Sequence, residues 1–255
     1  MFSIVRLIVS DIVKNKIVIV YTLLLAILSW SAFMLEDNQN KGILTLLNII
    51  LLTVPLVSIL FTAIYIYNSN EFIELLVSQP LRRNKIWISL FWGISGSLLF
   101  AFLLSTGIPL ILFADLKLGL MMLGVGCMIT LICVAIAFVS TTFTRDKAKG
   151  IGIVIVLWLY FALLFDSLIL FILFEFADYP IEKPMLFMVA LNPLDIGRIL
   201  ILLHLDVSAM MGYTGAIFRE VLGSIMGIFI AFILLILWTV APFWISLIKF
   251  NHKDL

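Results

Sequence analysis

The sequence predicts an all-α polytopic membrane protein with six transmembrane helices. Hydrophobic residues make up 64% of the 255 residues, charged residues only 12%, and the mean hydropathy is +1.26. A soluble domain is nearer half apolar and a quarter charged, so a soluble class is excluded and the lipid bilayer is the expected surrounding. The net charge of +1 provides no basic field that would attract nucleic acid.

Six apolar runs have the length that a helix needs to cross about 30 Å of hydrocarbon. The third run is the longest, and its roughly 28 residues would span about 42 Å, so the helix must tilt or break. Gly107–Ile108–Pro109 is the predicted break, because proline cannot donate a helical hydrogen bond. The predicted spans are residues 17–35, 43–67, 86–113, 118–142, 150–174 and 222–249.

Residues 1–16 predict an interfacial helix ahead of the first span. A helix with one apolar and one polar face lies in the headgroup plane of a membrane. The alternative is that this stretch is simply the start of the first span. Its apolar face would hold Phe2, Val5, Ile8, Val9 and Ile12, and its polar face Ser3, Arg6, Ser10 and Lys14.

The distribution of basic residues predicts the orientation. Most of the 16 Lys and Arg residues fall in the segments on the N-terminal side of this topology, whereas most acidic residues fall in the segments on the other side. Because cytoplasmic loops carry the excess of Lys and Arg, we expect both termini in the cytoplasm. The expected location is the bacterial inner membrane.

The loop at residues 68–85 predicts a short amphipathic helix. Asn68 is the expected N-cap, with Glu71 completing a capping box, and Pro80 ends the helix. The simplest interpretation is an interfacial helix that only lies on lipid and binds no partner protein. One face would present Phe72, Leu75, Leu76 and Gln79, and Arg82, Arg83 and Lys85 would anchor the return at anionic headgroups.

From Glu71 to Arg83 this loop reads E-x-x-E-L-L-x-S-Q-P-x-x-R, which resembles the coupling region of ABC-2 type transporter permeases. The resemblance implies a coupling helix that inserts into a separate ATP-hydrolysing subunit, and a half-transporter that works as a homodimer. ATP and Mg²⁺ would then bind to the partner ATPase. The residues that would dock on the ATPase are Glu71, Phe72, Glu74, Leu75, Leu76, Gln79, Pro80, Arg82 and Arg83.

No catalytic motif accompanies this loop in the sequence. The pattern G-x-x-x-x-G-K-[ST] is missing, as are HExxH, GxSxG and any metal-spaced set of Cys and His. We therefore expect a non-catalytic subunit with no cofactor on this chain.

Residues 175–221 form the largest segment outside the predicted spans. Asn192–Pro193 is a turn signal, and Asp195 is the expected cap of a helix in which Arg198 lies close enough to pair with Asp195. The apolar content of this segment predicts one or two helices that lie on the outer surface of the bundle, at the leaflet boundary.

Two sequence motifs in this segment point to one branch of the family. They are Asn192-Pro193-x-Asp195-x-x-Arg198 and the string DVSAMMGYTGA at residues 206–216. Together they resemble NosY-like permeases, a branch of the same family that serves nitrous oxide reductase maturation. The resemblance implies a NosF-like cytoplasmic ATPase, a NosD-like periplasmic β-helical protein and a NosL-like copper lipoprotein, with copper handled by these partners.

The preferred role of the outer segment is to bind the periplasmic partner, and the alternative is a re-entrant loop that only plugs the bundle. His204, Met210 and Met211 are soft ligands of the kind that suit Cu(I), but their spacing forms no ligand set, so we predict no metal site. The predicted partner-binding residues are Asn192, Asp195, Arg198, Met211, Gly212, Tyr213, Thr214 and Gly215.

Asp166 is an acid well inside the fifth predicted span. A charge there costs about 2.5–3.5 kcal/mol, so Asp166 either belongs to a gate or conformational sensor, or bonds Ser167, a neighbouring span or the headgroups. Two rows of small residues predict close helix packing, in a dimer seam or within one subunit. The rows are Ser89, Gly93 and Ser97, and Gly223, Gly227 and Ala231.

The function that these observations predict is transmission of ATP-driven movement from a cytoplasmic ATPase to a periplasmic partner. A general ABC-2 exporter of lipid, glycan or drug is the first alternative, and it would need a polar path or a lateral opening. An anchoring protein without ATP coupling is the second. A membrane enzyme is the weakest, because the sequence has no catalytic constellation.

Overall fold

The computed structural model describes residues 2–36, 38–176, 182–205 and 225–252, and these residues are helical apart from short connectors. Six helices among them are long and apolar enough to cross a membrane, which confirms the predicted fold class. They are α2 (Lys16–Met34), α3 (Gln39–Asn68), α5 (Arg83–Phe113), α6 (Leu116–Phe143), the composite helix from Lys147 to Glu175, and α11 (Ile225–Asn251).

The composite helix consists of three parts. It begins as α7 (Lys147–Leu159), passes through one π-helical turn (Tyr160–Leu164) and continues as α8 (Phe165–Glu175). The short helices are α1 (Phe2–Val13), α4 (Asn70–Ser78), α9 (Glu182–Ala190) and α10 (Pro193–Leu202).

The helix α6 forms the centre of the bundle. It packs against α3, α5, α7, α10 and α11, while α2 packs against α3 and α5. In its most apolar stretch 61% of the residues of α6 are buried, compared with 11% for both the composite helix and α11. The composite helix and α11 therefore turn most of their surface to the outside of the subunit.

One end of the bundle carries α1, α4 and the connectors from α3 to α5 and from α6 to α7, and we call it the basic end. Tertiary contacts hold its helix termini together. Arg83 donates through Nη1 to the carbonyl of Asn251 at 3.3 Å, and the rings of Trp87 and Phe250 stack with their centroids 4.1 Å apart. This is the end that the distribution of Lys and Arg assigns to the cytoplasm.

The predicted break at Gly107–Ile108–Pro109 is wrong, because α5 runs unbroken over its 31 residues. Pro109 removes only the hydrogen bond that its N–H would give to the carbonyl of Ser105. Within hydrocarbon, a break would expose several more backbone groups where no water can satisfy them. The whole helix is about 46 Å long. The part that exceeds the hydrocarbon thickness extends α5 into the basic end at Arg83.

The helix α1 packs along α5, and its apolar face is the one that the sequence predicts. Ile8 and Ile12 are fully buried. A Cβ atom at Gly93 would lie 2.6 Å from Cγ2 of Ile8. The small-residue row of Ser89, Gly93 and Ser97 therefore contacts α1 of the same subunit at Gly93. Asn15 then caps α2 by accepting a hydrogen bond from the backbone of Ile17 at 2.9 Å.

Candidate functional site

The helix α4 projects from the basic end immediately after α3. Its first turn is closed by the backbone, since Ile73 N–H donates to the carbonyl of Ser69 at 2.9 Å. The predicted capping box is wrong, because Asn68 is the last residue of α3 and its side-chain oxygen accepts from Nζ of Lys147 at 2.7 Å. The side-chain oxygen of Asn68, predicted to cap α4, is therefore bound to Lys147 instead.

The inward and outward faces of α4 differ from the predicted ones. Ile73 and Leu76 are buried, and Phe72 is half-buried against the core. The predicted docking residue Leu76 therefore faces into its own subunit. The outward residues are Glu71, Glu74, Leu75 and Ser78, which we call the outer face of α4.

The connector after α4 carries the remaining predicted docking residues. Gln79, Pro80 and Arg82 are exposed, whereas Arg83 is half-buried at the start of α5. Arg83 also bonds the last residue of α11. The surface available to a partner is therefore acidic along α4 and basic just beyond it.

The last turn of α3 joins α4 to three other parts of the basic end. The Tyr65 hydroxyl donates to Oδ2 of Asp11 in α1 at 3.1 Å, and the Tyr67 hydroxyl lies 2.9 Å from Oγ1 of Thr144. With the Lys147 bond to Asn68, these contacts link the base of α4 to α1, to Thr144 at the end of α6 and to the start of α7. We call this set of residues the α3 hub.

Gly150 makes this arrangement possible. A Cβ atom at Gly150 would overlap the hydroxyl and ring of Tyr67. The glycine therefore lets the end of α3 approach α7 closely enough for Tyr67 to reach Thr144.

The helices α9 and α10 form a hairpin that enters the bundle instead of lying on it. Trp238 Nε1 donates to the carbonyl of Ala190 at 3.0 Å, and Trp238 lies about 20 Å along α11 from Ile225. Asn192 contacts Phe161, which lies about 21 Å along the composite helix from Lys147. The turn of the hairpin therefore sits near the middle of the spans.

The burial of α10 corrects the prediction that these helices lie on the outer surface of the bundle. Eight of its ten residues are buried, and Leu194, Ile196 and Leu200 are among them. A Cβ atom at Gly197 would lie 2.6 Å from Cγ1 of Val125 in α6. The apolar residues of α10 thus face protein, and the re-entrant alternative describes the residues 182–205 better.

Asn192, and not Asp195, caps α10. Its side-chain oxygen accepts from the backbone of Leu194 at 3.1 Å, and Pro193 occupies the first position of the helix. Proline suits that position because its missing N–H would have no helical partner there.

The amide of Asn192 also holds the π-helical turn. Phe165 N–H donates to the carbonyl of Tyr160, although in an α-helix it would bond the carbonyl of Phe161. The carbonyl of Phe161 is thereby released, and Nδ2 of Asn192 donates to it at 2.9 Å. The hairpin therefore supplies the donor that the π-helical turn withdraws from this carbonyl.

Charged groups continue this contact toward the opposite end of the bundle. Nδ2 of Asn192 also donates to Oδ2 of Asp195 at 2.9 Å. Nη1 of Arg198 donates to Oδ2 of Asp166 and lies 3.7 Å from Oδ1 of Asp195. We call the contacts of Asn192, Asp195 and Arg198 with Phe161 and Asp166 the hairpin latch.

The partner of Asp166 is therefore Arg198. Ser167, one of the predicted alternatives, instead donates to the carbonyl of Leu163 at 3.0 Å. The sequence did contain a signal for the correct pair, since an acid in a span needs a cation and Arg198 is the only Lys or Arg in the sequence between Lys183 and Arg219. The pairing requires the hairpin to enter the bundle, whereas the preferred prediction placed these helices on its outer surface.

Two of the predicted partner-binding residues face inward. Asn192 is fully buried and Asp195 is 4% exposed, so neither is available to a periplasmic protein in this conformation. Arg198 has a side chain that is 30% exposed and is engaged with Asp166. The remaining predicted residues, Met211, Gly212, Tyr213, Thr214 and Gly215, lie outside the described residues, as does Met210.

The described residues contain no group of three or more His, Cys, Asp or Glu side chains that would hold a metal ion. His204 bonds the carbonyl of Leu200 through Nδ1 at 3.1 Å. Both cysteines, Cys127 and Cys133, are free thiols in α6.

Comparison with known proteins gives one result that bears on this site. Residues 45–255 match the family described as ABC-2 family transporter protein, and the match covers α4, the hairpin latch and all of the α3 hub except Asp11. No curated protein matches the sequence at a significant level.

Proposed function

Because this chain belongs to the ABC-2 family of transporter proteins, we propose that it transmits ATP-driven movement from a separate ATPase to a periplasmic partner. The family is one of membrane transport components that work with an ABC ATPase. The observation that carries the proposal is the outer face of α4, a short exposed helix whose base is tied to α1 and α7 through the α3 hub.

The docking contact that we propose has a definite chemistry. Glu71 and Glu74 present two carboxylates, and Leu75, whose surface is 65% exposed, provides an apolar anchor beside them. Arg82 adds a cation just beyond the helix. A complementary groove on the ATPase would place basic residues opposite α4 and an apolar pocket opposite Leu75.

The route of the movement follows contacts within the subunit. A displacement of α4 acts on the last turn of α3, and from there on Thr144 and Lys147 at the start of the composite helix. That helix carries the π-helical turn and Asp166, which are the two attachment points of the hairpin latch. Coupling requires that ATP binding favour one of two arrangements of these contacts.

At the far end of the route, we propose that the movement of the hairpin changes how residues 206–224 bind a periplasmic protein. The working unit is a homodimer with two ATPase copies in the bacterial inner membrane, with both termini of each chain in the cytoplasm. Mg²⁺ and ATP bind to the ATPase.

The process that we propose is maturation of the copper-sulfide cluster of nitrous oxide reductase. Support comes from the resemblance of residues 192–198 and 206–216 to NosY-like permeases. NosF-like, NosD-like and NosL-like proteins would be the ATPase, the periplasmic β-helical partner and the copper donor. Because Asn192 and Asp195 are buried, partner binding in this proposal falls to residues 206–224.

The docking part of the proposal is tested by co-purification of the tagged chain with its ATPase in mild detergent. Reversing the charge of the outer face, with Glu71→Lys and Glu74→Lys together, should abolish both co-elution and stimulated ATP hydrolysis. The matched control is Lys41→Glu with Lys117→Glu, two exposed charges at the opposite end, which should change neither. Unchanged co-elution of the α4 variant would contradict the proposed docking surface.

The assignment of the process is tested separately in a cell that makes nitrous oxide reductase. Deletion of the gene should leave the reductase without its copper-sulfide cluster, and the intact chain should restore the cluster. A reductase with full copper content in the deletion strain would exclude this process while leaving the ATPase contact unaffected.

A further inference from the structure

A cleft of about 400 Å³ lies between α6, α7 and α11, in the half of the bundle next to the basic end. Its floor includes Val139 and Phe143 of α6, and its walls include Ile153 of α7 and Ile245 of α11. This volume falls within the range of small-molecule sites, about 300–1,000 Å³. Two of its walls, α7 and α11, belong to the least buried of the six spans.

A cation stands at the rim of the cleft, at the end next to the basic end of the bundle. Nζ of Lys249 lies 5.4 Å from the centre of the Phe143 ring. The lining itself is apolar, since Ser140 presents almost no polar surface to the cleft, and it extends to Trp238 and Phe161. This arrangement fits an amphiphile with its charged head at Lys249.

The lining and the charge of the cleft favour a lipid as its occupant. The wall is apolar over the roughly 12 Å from Ile153 to Phe161, a length that one acyl chain can cover. The cation at the rim, Lys249, lies at the end where an anionic headgroup would be.

We propose that this cleft binds one anionic phospholipid from the leaflet at the basic end. One acyl chain lies along α6 between α7 and α11, and the phosphate pairs with Lys249 at the rim. The acyl chain covers the apolar lining while the charged head stays at the membrane surface.

The bound lipid would also contact both residues that hold the turn of the hairpin. Phe161 offers its carbonyl to Asn192, and Trp238 donates to the carbonyl of Ala190. Both of these side chains line the inner end of the cleft. An acyl chain there fills the space behind them, so the lipid supports the hairpin and is not the cargo.

Native mass spectrometry of the detergent-solubilised full chain, titrated with phosphatidylglycerol or phosphatidylcholine, tests the proposal. The wild-type chain should retain one phosphatidylglycerol per subunit in preference to phosphatidylcholine. Val139→Trp, which fills the cleft, should abolish retention. Lys249→Gln should weaken phosphatidylglycerol retention about five-fold, the effect of one basic residue at a headgroup.

Matched controls separate this site from general attraction to lipid. Val156→Trp adds the same side chain at an exposed position of α7 outside the cleft, and Lys14→Gln removes a different cation at the basic end. Both should retain lipid as the wild type does. The proposal is overturned if Val139→Trp and Lys249→Gln retain lipid like the wild type, or if the controls lose it equally. It is also overturned if Val139→Trp changes only the fraction of dimer, because the cleft would then be a seam between two copies.

Discussion

The side-chain amide of Asn192 donates to the backbone carbonyl of Phe161 at 2.9 Å, and this bond joins the hairpin turn to the π-helical turn of the composite helix. The two residues lie near the middle of the spans, where water is not available to either group. Breaking the bond would leave the amide of Asn192 and the carbonyl of Phe161 with one partner fewer, so the bond stabilises the conformation described here.

Replacing Asn192 with Asp should destabilise the subunit by about 1–3 kcal/mol, the cost of leaving a buried polar group unpaired. The change keeps the shape of the side chain but removes the donor to Phe161 and places a carboxylate beside Asp195. Thermal unfolding in detergent measures the effect. Asn40→Asp, in the first turn of α3, is the control and should leave the transition unchanged; an equal change in both variants would contradict the role of the bond.

Asp166 and Arg198 should behave as a coupled pair. Asp166→Asn or Arg198→Gln alone leaves a charge without its main partner and should cost about 1.5–3 kcal/mol each. The double variant removes both charges, so it should lose clearly less stability than the two single losses together. A double-mutant cycle by thermal unfolding provides the comparison, and strictly additive losses would show that the pair contributes nothing.

Gly150→Ala should destabilise the basic end by about 1–3 kcal/mol, the usual cost of overpacking, because the added methyl group overlaps Tyr67. We expect stimulated ATP hydrolysis to fall as well, since the α3 hub is displaced. Gly152→Ala is the matched control: it lies on the same helix, and a Cβ atom there meets nothing within 4 Å. If both variants stay as stable and as active as the wild type, Tyr67 does not need the space at Gly150.

Gly93→Ala should loosen α1 from α5, because its Cβ atom would lie 2.6 Å from Cγ2 of Ile8. The measurement is hydrogen exchange of the backbone amides of α1, which should become faster while those of α6 remain protected. Gly96→Ala, which meets nothing within 4 Å, should leave exchange in α1 unaltered. Unaltered exchange in the Gly93 variant would mean that this contact does not hold α1.

The long helices could be predicted from the sequence because the bilayer sets their length and composition together. The predicted spans agree with the helices to within about four residues at the described ends. The predicted break at Pro109 is wrong for the same physical reason. In hydrocarbon, several unpaired backbone groups cost more free energy than the one hydrogen bond that Pro109 removes.

The hairpin could not be placed from the sequence. Its Leu and Ile residues are equally suited to lipid and to a protein interior, and α10 is buried by α6 and α11, which are distant in the chain. For Asn68 and Asn192, tertiary partners determine what the side chains bind, as the contacts to Lys147 and Phe161 show. The spacing of Asp195 and Arg198 correctly predicted their proximity, while the partner Asp166 depends on the depth of the hairpin.

The central proposal is that movement of α4 reaches the hairpin, and a distance measurement by electron paramagnetic resonance tests it directly. Spin labels at Leu191→Cys, in the hairpin turn, and Leu116→Cys, at the start of α6, occupy exposed positions. The native thiols Cys127 and Cys133 are replaced by Ala beforehand. In the complex with the ATPase, Mg²⁺ and ATP should shift the distance distribution, and the shift should vanish when Glu71→Lys and Glu74→Lys are added. A distribution that is identical with and without ATP, in a complex that hydrolyses it, would contradict the proposal.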